Sequence, residues 1–549
     1  MTLLADLLPA VTWWHVAVAV TVYYVSRTIY RLTLHPLAKF PGPKLAAITR
    51  LYEGYYDVIQ EGQYTFKIAE LHKQYGPIIR ISPYELHIND PTYYEKLYRN
   101  DGRWDKYDWA YVAHGRGLDV ALTAQDHYMH KAIRQPLSPF FSKANVGRKM
   151  DIVRKHLDKL QAIMARKAVS GETFDLGAAI SAWARDVSNE FILGKSYDNL
   201  DKDDFDRDFT TMVTDEGRMW RYNKHFPVLR LAFSLPWDFM LLVAKWLGDK
   251  GLKNVFTHLK QLSTTNQVTL HDTKQIIDAH NTSSEKPAST EPSHTIINDI
   301  LSSPSLPTHL KSLSRIHQDI FVITSAGFET TASTLRLIIY HLFSSPSILS
   351  SLRSELSQKG FFNLSDPSSY EYRDLEHLPY LTAILMEGLR LSPAAASRLQ
   401  RVAPDRELVY PQPAALGDGQ NGEKGMTTKE WTIPRGTPVG MTQILMHWDE
   451  SVYGKDAREF NPERWMDEEF KRRVAGGERM WAPFSRGSRN CLGMHLAWAE
   501  LYLCIATLAQ HFDLEFPGHS AEDFEAAIDS FVILTKSRGE LRTVAKVRG

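Results

Sequence analysis

The stretch Phe484–Gly493, FSRGSRNCLG, holds one of only two cysteines in a chain of 549 residues. Cys491 stands directly before LGMHLAWAELYLCIATLAQHF, whose Leu496, Trp498, Leu501, Ile505 and Leu508 give the run strong helical character. A helix start favours a thiolate, because free amide groups and the positive helix end attract negative charge. Gly487 and Gly493 let backbone approach a flat partner, and Arg486 and Arg489 offer cations to carboxylates. Thiolate, glycine loop and flanking arginines together suit an iron porphyrin. The competing reading is a reactive or buried cysteine without metal. Cys504 lies inside the apolar helix and reads as core.

The bulk properties restrict the function further. A chain of this length buries a large core. Hydrophobic residues make up 43% and aromatic residues 11%, which marks a folded chain. Lys and Arg balance Asp and Glu, so there is no electrostatic footprint for nucleic acid. Two cysteines build no disulfide framework, and the body fits a reducing compartment.

The amino terminus departs from that picture. Leu7–Ser26, LLPAVTWWHVAVAVTVYYVS, carries no formal charge apart from His15 and is close to the ~20 residues that cross hydrocarbon. Arg27, Arg31, Lys39 and Lys44 follow it, which places the rest of the chain on the cytosolic side. A cleaved signal peptide is the rival, but a basic leader and a small-x-small site are missing. The expected division is a membrane anchor over 1–34, a stiff proline-rich hinge over 35–48 and a catalytic body over 49–549. Most of the body reads as helix, with strand signals at Tyr75–Ile88 and Thr437–His447. Ala279–His294 reads as a surface loop with a sequon at Asn281, and Pro411–Gly425 as a long loop or hairpin insertion. Phe226–Gly248 is apolar but broken by Arg230, Pro236, Asp238 and Lys245. It reads either as a surface segment dipping into a membrane or as a core helix.

Two further motifs stand out. In Ile384–Pro393, ILMEGLRLSP, Glu387 and Arg390 share a helix face with apolar neighbours, so the pair is expected to be buried. In Asp319–Ile339 a long apolar helix pattern is interrupted by Ala326, Gly327, Glu329, Thr330 and Thr331. Such an interruption costs stability, and an acid beside a hydroxyl there fits proton delivery over a metal. Hydroxyls bonded back to the preceding turn are the alternative.

The decapeptide fits the Phe-x-x-Gly-x-Arg-x-Cys-x-Gly signature of the cytochrome P-450 family at Phe484, Gly487, Arg489, Cys491 and Gly493. Residues 326–331 resemble that family's Ala-Gly-x-Asp/Glu-Thr-Thr motif at every position, and Glu387 with Arg390 resembles its Glu-x-x-Arg pair, completed by Arg464 in FNPERW. His130 and Arg134, one turn apart, resemble its aromatic-or-His-x-x-x-Arg pair, with Lys131 as a substitute. Arg401 in SRLQRVAPD is either a propionate partner or a solvent-facing arginine. The chain looks most like fungal secondary-metabolism members, in particular the trichodiene-oxygenase-like group.

The resemblance implies a mainly α fold with small β-sheets, in one large haem domain. It implies haem b with Cys491 as metal ligand, and His130, Arg134, Arg401, Phe484, Gly487, Arg489 and Gly493 around the cofactor. Glu387, Arg390 and Arg464 form a structural triad, and Glu329 and Thr330 are the catalytic pair. The implied activity is insertion of one oxygen atom from O2 into a lipophilic terpenoid or polyketide. NADPH would supply electrons through a cytochrome reductase at the endoplasmic reticulum membrane. A haem-thiolate isomerase or dehydratase, and a haem sensor or carrier, are the alternatives. Ala110–Leu122, Arg218–Trp246 and Pro393–Arg398 are the expected pocket walls.

Overall fold

The computed structural model describes residues 13–111, 120–232, 235, 237–249, 253–283, 295–360, 372–392, 397–412, 429–477 and 480–548. Among the described residues helices dominate, and four small sheets accompany them. The helices that build and surround the site are α1 (Trp13–Ile29), α2 (His127–Leu137), α3 (Leu176–Leu193), α4 (Arg207–His225), α5 (Pro227–Ala232), α6 (Trp237–Asp249), α7 (Lys253–Ser283), α8 (Leu313–Ser344), α9 (Pro379–Leu391) and α10 (Met494–His511).

At the centre α8 packs on α3, α7, α9 and α10. In α3 every residue except Asn189 and Glu190 is buried, so this helix is core on all sides. Asp175 caps its start by accepting from the Ala178 N–H at 3.2 Å, and Gly194, at φ +70°, ends it. Small residues set the helix spacing. A Cβ on Gly327 would lie 2.5 Å from Ser188 Oγ of α3, and one on Gly388 would lie 2.1 Å from Ile338 Cγ1. Gly327 is therefore a contact between α8 and α3, while its neighbour Ala326 stays exposed.

The largest sheet orders its strands β1 (Ile78–Arg80), β2 (Leu86–Ile88), β7 (Pro438–Gly440), β4 (Arg401–Val402) and β3 (Asp105–Lys106). The expected strand pair in Tyr75–Ile88 is the β1–β2 hairpin, with Ile78 opposite Ile88. Lys106 pairs with Arg401 across β3 and β4, which brings two cations together. Strands β5 (Leu408–Gln412) and β6 (Lys429–Ile433) form a hairpin around the expected insertion, whose residues 413–425 lie outside the described ones.

Several expectations are corrected. Thr437–His447 is strand only at Pro438–Gly440 and is helical at Gln443–His447. Ala279–Ser283 continues α7, so Asn281 sits on a helix; 284–294 lie outside the described residues. Phe226–Gly248 is no core helix: Phe226, Val228, Leu235, Phe239, Leu242 and Trp246 are exposed on α5, α6 and their flanks.

The spanning helix expected within 1–34 is not found. Among the described residues no helix is long and apolar enough to cross a membrane. Helix α1 has 17 residues, none of them buried. The first part of the expected run, to residue 12, lies outside the described residues. The hinge is docked on the body: Leu37 and Phe40 are buried, and Phe40 stacks on Trp431 at 5.1 Å. Arg80 also donates to the Arg31 carbonyl at 2.7 Å.

Candidate functional site

The cysteine loop runs directly into α10, and hydrogen bonds hold its shape. The Cys491 N–H donates to the Phe484 carbonyl at 2.8 Å. Phe484 packs on Trp498 at 6.2 Å between centroids. Gly487 takes φ +73°, and a Cβ there would lie 2.5 Å from the Arg99 carbonyl oxygen, so no other residue fits without a shift. At Gly493 an added Cβ would meet nothing within 4 Å. The protein itself does not require a glycine there, and the space beside the loop is open to a flat group.

Cys491 is accessible, yet the protein around it pushes the thiol pKa up. The Gly493 N–H and Arg134 pull the other way without overcoming burial. The local preference for a thiolate at the helix start is thus present but smaller than the effect of burial. Helix α8 carries an open segment of its own. Ser325 and Ala326 are exposed and Thr330 is half-buried in the middle of this otherwise packed helix.

Cations converge beside the loop. Burial, then Arg489, Arg401 and Arg134, push the Lys106 pKa far down. Burial and Arg401 lower Arg489 to about 10, and burial lowers Arg134. Burial and the same cations drive His130 to about 2, so its ring is neutral. Among the described residues none of the four cations Lys106, Arg134, Arg401 and Arg489 has a carboxylate ion pair. Arg134 donates to the Asn490 carbonyl and Oδ1 at 2.7 and 2.8 Å. Arg489 donates to the carbonyls of Ala124 and Gln125, and its buried Nε has no partner. Arg401 donates to the Leu399 carbonyl at 2.9 Å and lies over the Tyr98 ring. Buried cations that repel one another need an anion. The two propionates of a haem ligated by the nearby cysteine would meet that need. Arg486 points elsewhere, donating to the Trp481 carbonyl at 2.9 Å. Lys106 is a site residue that sequence reading missed; it belongs to no motif and enters only through strand pairing.

The acid and the hydroxyl of α8 do not share an environment. Neighbours on a helix lie about 100° apart round the axis, as 3.6 residues per turn requires. Glu329 turns to α3, where Ser181 Oγ donates to it at 3.0 Å and Arg336 pairs with it. Arg336 also donates to Ser181 Oγ at 2.8 Å. The carboxylate braces α8 on α3. Thr330 lies on the open side, its hydroxyl donating to the Ala326 carbonyl at 3.0 Å.

A second residue missed by the sequence reading is Glu500 of α10. Its carboxyl is fully buried and pushed up to about 8 by desolvation, with the Thr331 hydroxyl opposing weakly. Among the described residues its two carboxyl oxygens have no hydrogen-bond partner; with the carboxyl pushed up to about 8 it is mainly protonated at neutral pH, and the nearby Thr331 is the chain neighbour of Thr330. Its spacing of nine from Cys491 in an apolar helix was the available signal.

The triad residues assemble. Arg390 donates to Glu387 through Nε at 2.8 Å and Nη2 at 2.7 Å, and Arg464 donates to Glu387 at 3.1 Å. Trp465 Nε1 and the Asn461 N–H add bonds of 2.8 and 2.9 Å, so the buried carboxylate is fully engaged. Arg390 reaches the His447 carbonyl, and the Ala482 N–H donates to His447 Nε2 at 3.1 Å. That chain of contacts ties the triad to the start of the cysteine loop. Elsewhere, Glu53, Asp57 and His225 cluster at metal-ligand distance. Lys224 Nζ lies 2.7 Å from Glu53 and 2.5 Å from Asp57, where a metal would sit. Of the expected pocket walls, 112–119, 233, 234, 236 and 393–396 lie outside the described residues.

A family model described as Cytochrome P450 matches residues 54–541. The chain is 37% identical over 497 residues to cytochrome P450 monooxygenase tpcC of Cochliobolus heterostrophus, covering 90% of this chain and 87% of that one. N-acetyltryptophan 6-hydroxylase ivoC of Emericella nidulans is 34% identical over 531 residues, 96% of each chain. Conidiogenone synthase PchP450 of Penicillium rubens is 33% identical, covering 93% of this chain and 94% of that one. A crystal structure of a cytochrome P450, CYP102L1, matches with TM-score 0.64 at 18% identity over 88% of this chain and 97% of that one, a likeness of fold.

Proposed function

The chain belongs to the cytochrome P450 family, an oxygen-incorporating oxidoreductase with haem on a cysteine thiolate, and on that premise we propose how it works and on what. The observation that carries the reading is the set of four cations without carboxylate partners beside an accessible, surrounded cysteine. Cys491 would ligate the iron, and Arg134, Arg401, Arg489 and Lys106 would hold the propionates. Bound there, haem would supply the activation of dioxygen.

The chain's own residues do the rest. Thr330 presents a hydroxyl on the open face of α8 and orients the proton that the reaction consumes. Glu500, protonated at neutral pH, is the proton reserve behind it, through Thr331. Glu329 acts as a positioning residue that keeps α8 against α3. We take 49–549 as one catalytic domain. Electrons come from NADPH through a cytochrome reductase. The exposed apolar side chains of α1, α5 and α6 attach the protein to the endoplasmic reticulum membrane, with the body cytosolic. The substrate is a lipophilic secondary metabolite, a terpenoid first and an aromatic polyketide second; a relative named as an N-acetyltryptophan 6-hydroxylase supports hydroxylation as the reaction.

The test is isotopic. The precursor that accumulates when the gene is deleted is incubated with holoenzyme, reductase, NADPH and 18O2. One 18O atom per product molecule is expected. Turnover without NADPH or without label would return the chain to the isomerase or dehydratase reading.

A further inference from the structure

Two turns before Ala326, helix α8 carries a buried ion pair that the oxygen chemistry does not use. Arg315 Nη1 pairs with Asp319 Oδ2. Arg315 is 7% exposed and Asp319 1%. Among the described residues three of their atoms lack partners: Arg315 Nε, Arg315 Nη2 and Asp319 Oδ1. Buried donors and acceptors are costly to leave unmade, so this pair asks for a further partner.

The helix register says where that partner would be. At 100° per residue, Arg315, Asp319, Ala326 and Thr330 fall within about 60° of one another on a single stripe of α8. That stripe is the side on which Ala326 is exposed and Thr330 half-buried. Asp319 lies beside the Ala121 N–H, within the Ala110–Leu122 wall expected from the sequence. Seven residues at 1.5 Å each put the pair about 10 Å along the stripe from Ala326. Paired in contact, the Arg315 guanidinium and the Asp319 carboxylate cancel, so the pair does not offer a net positive charge that would capture an anion.

We propose that Arg315 and Asp319 form the distal end of the substrate site and read a neutral group that both accepts and donates hydrogen bonds, such as a carboxamide, about 10 Å from the oxidised carbon. Resting on the monooxygenase reading above, this narrows the substrate to an elongated apolar molecule with one such polar end. Arg315 Nε and Nη2 donate to its carbonyl, and Asp319 Oδ1 accepts from its N–H or O–H. An apolar end placed there would leave all three atoms unpaired, and a carboxylate would face Asp319.

The test uses full-chain holoenzyme and imidazole probes, read by the absorption shift on nitrogen binding to the iron. The probes are 1-butylimidazole, which does not reach the pair, and imidazoles on a chain of about 10 Å ending in methyl, carboxylate or carboxamide. The carboxamide should bind at least about tenfold more tightly than the methyl probe, as hydrogen bonds to charged groups warrant. In the double variant Arg315→Met/Asp319→Leu, which removes both charges together so that none is left buried alone, that preference should vanish. 1-Butylimidazole should bind the variant as it binds the parent, reporting an intact haem site. Equal binding of the methyl and carboxamide probes, or a preference that survives the double variant, would overturn the proposal. A carboxylate probe that matches the carboxamide would overturn the neutral-group assignment. Absence of any shift with 1-butylimidazole would instead sink the haem-thiolate reading on which the proposal rests.

Discussion

Glu500→Gln changes one oxygen for nitrogen and removes a titration. In the parent protein, burial raises the Glu500 carboxyl from its ordinary 4.5 to about 8. Between those values the folded state holds a proton that the unfolded chain releases. The associated stability is fully present below pH 4.5 and lost as pH rises through about 8. At about 1.36 kcal/mol per pH unit, the interval from 4.5 to about 8 corresponds to about 5 kcal/mol, as an order of magnitude. A glutamine at this position carries no such dependence. Parent and variant should therefore unfold at similar denaturant concentrations near pH 5, and the variant should be the more stable by several kcal/mol at pH 8.5. The assay is denaturant unfolding of the holoprotein at pH 5, 7 and 8.5, followed by tryptophan fluorescence and by haem absorption. Parallel curves for the two proteins across this range would refute a buried, protonated Glu500. In turnover at pH 7, the variant should form less product per NADPH, because the proton reserve behind Thr331 is gone.

Cys491→Ser should abolish the red-shifted absorption of the reduced carbon monoxide complex and all turnover, since a hydroxyl is no soft sulfur donor; an unchanged spectrum removes Cys491 as ligand. Thr330→Ala should keep haem content but release more hydrogen peroxide and less product per NADPH, with a positioned proton donor worth ~10²–10⁴-fold in the step it serves. An unaltered product-to-NADPH ratio would return α8 to a purely structural role. Gly487→Ala should cost about 1–3 kcal/mol through its positive φ and the Arg99 carbonyl, and lower haem retention in dialysis. Glu387→Ala strands Arg390 and Arg464 in the core and should cost about 3–5 kcal/mol in denaturant unfolding, whereas a surface carboxylate such as Glu468 should cost almost nothing.

The motifs were legible because their residues are near one another in the chain. FSRGSRNCLG carries sulfur, glycine and arginine within ten positions, and AGFETT carries its small residues and hydroxyls within six. Helical periodicity marked out α8 and α10, and the Glu387–Arg390 spacing indicated a buried pair. What those residues face was decided by tertiary packing. Glu329 and Thr330 are adjacent in sequence, but Ser181 of α3 and Arg336 further along α8 capture the first and leave the second on the open side. Lys106 joins the cation cluster only because β3 pairs with β4 beside Arg401. The shift at Glu500 exists only because packing around α10 excludes water from a carboxyl that sequence alone would leave near 4.5. Even the thiol at Cys491 follows this rule: the helix start favours its anion locally, but the desolvation that outweighs it comes from the whole fold.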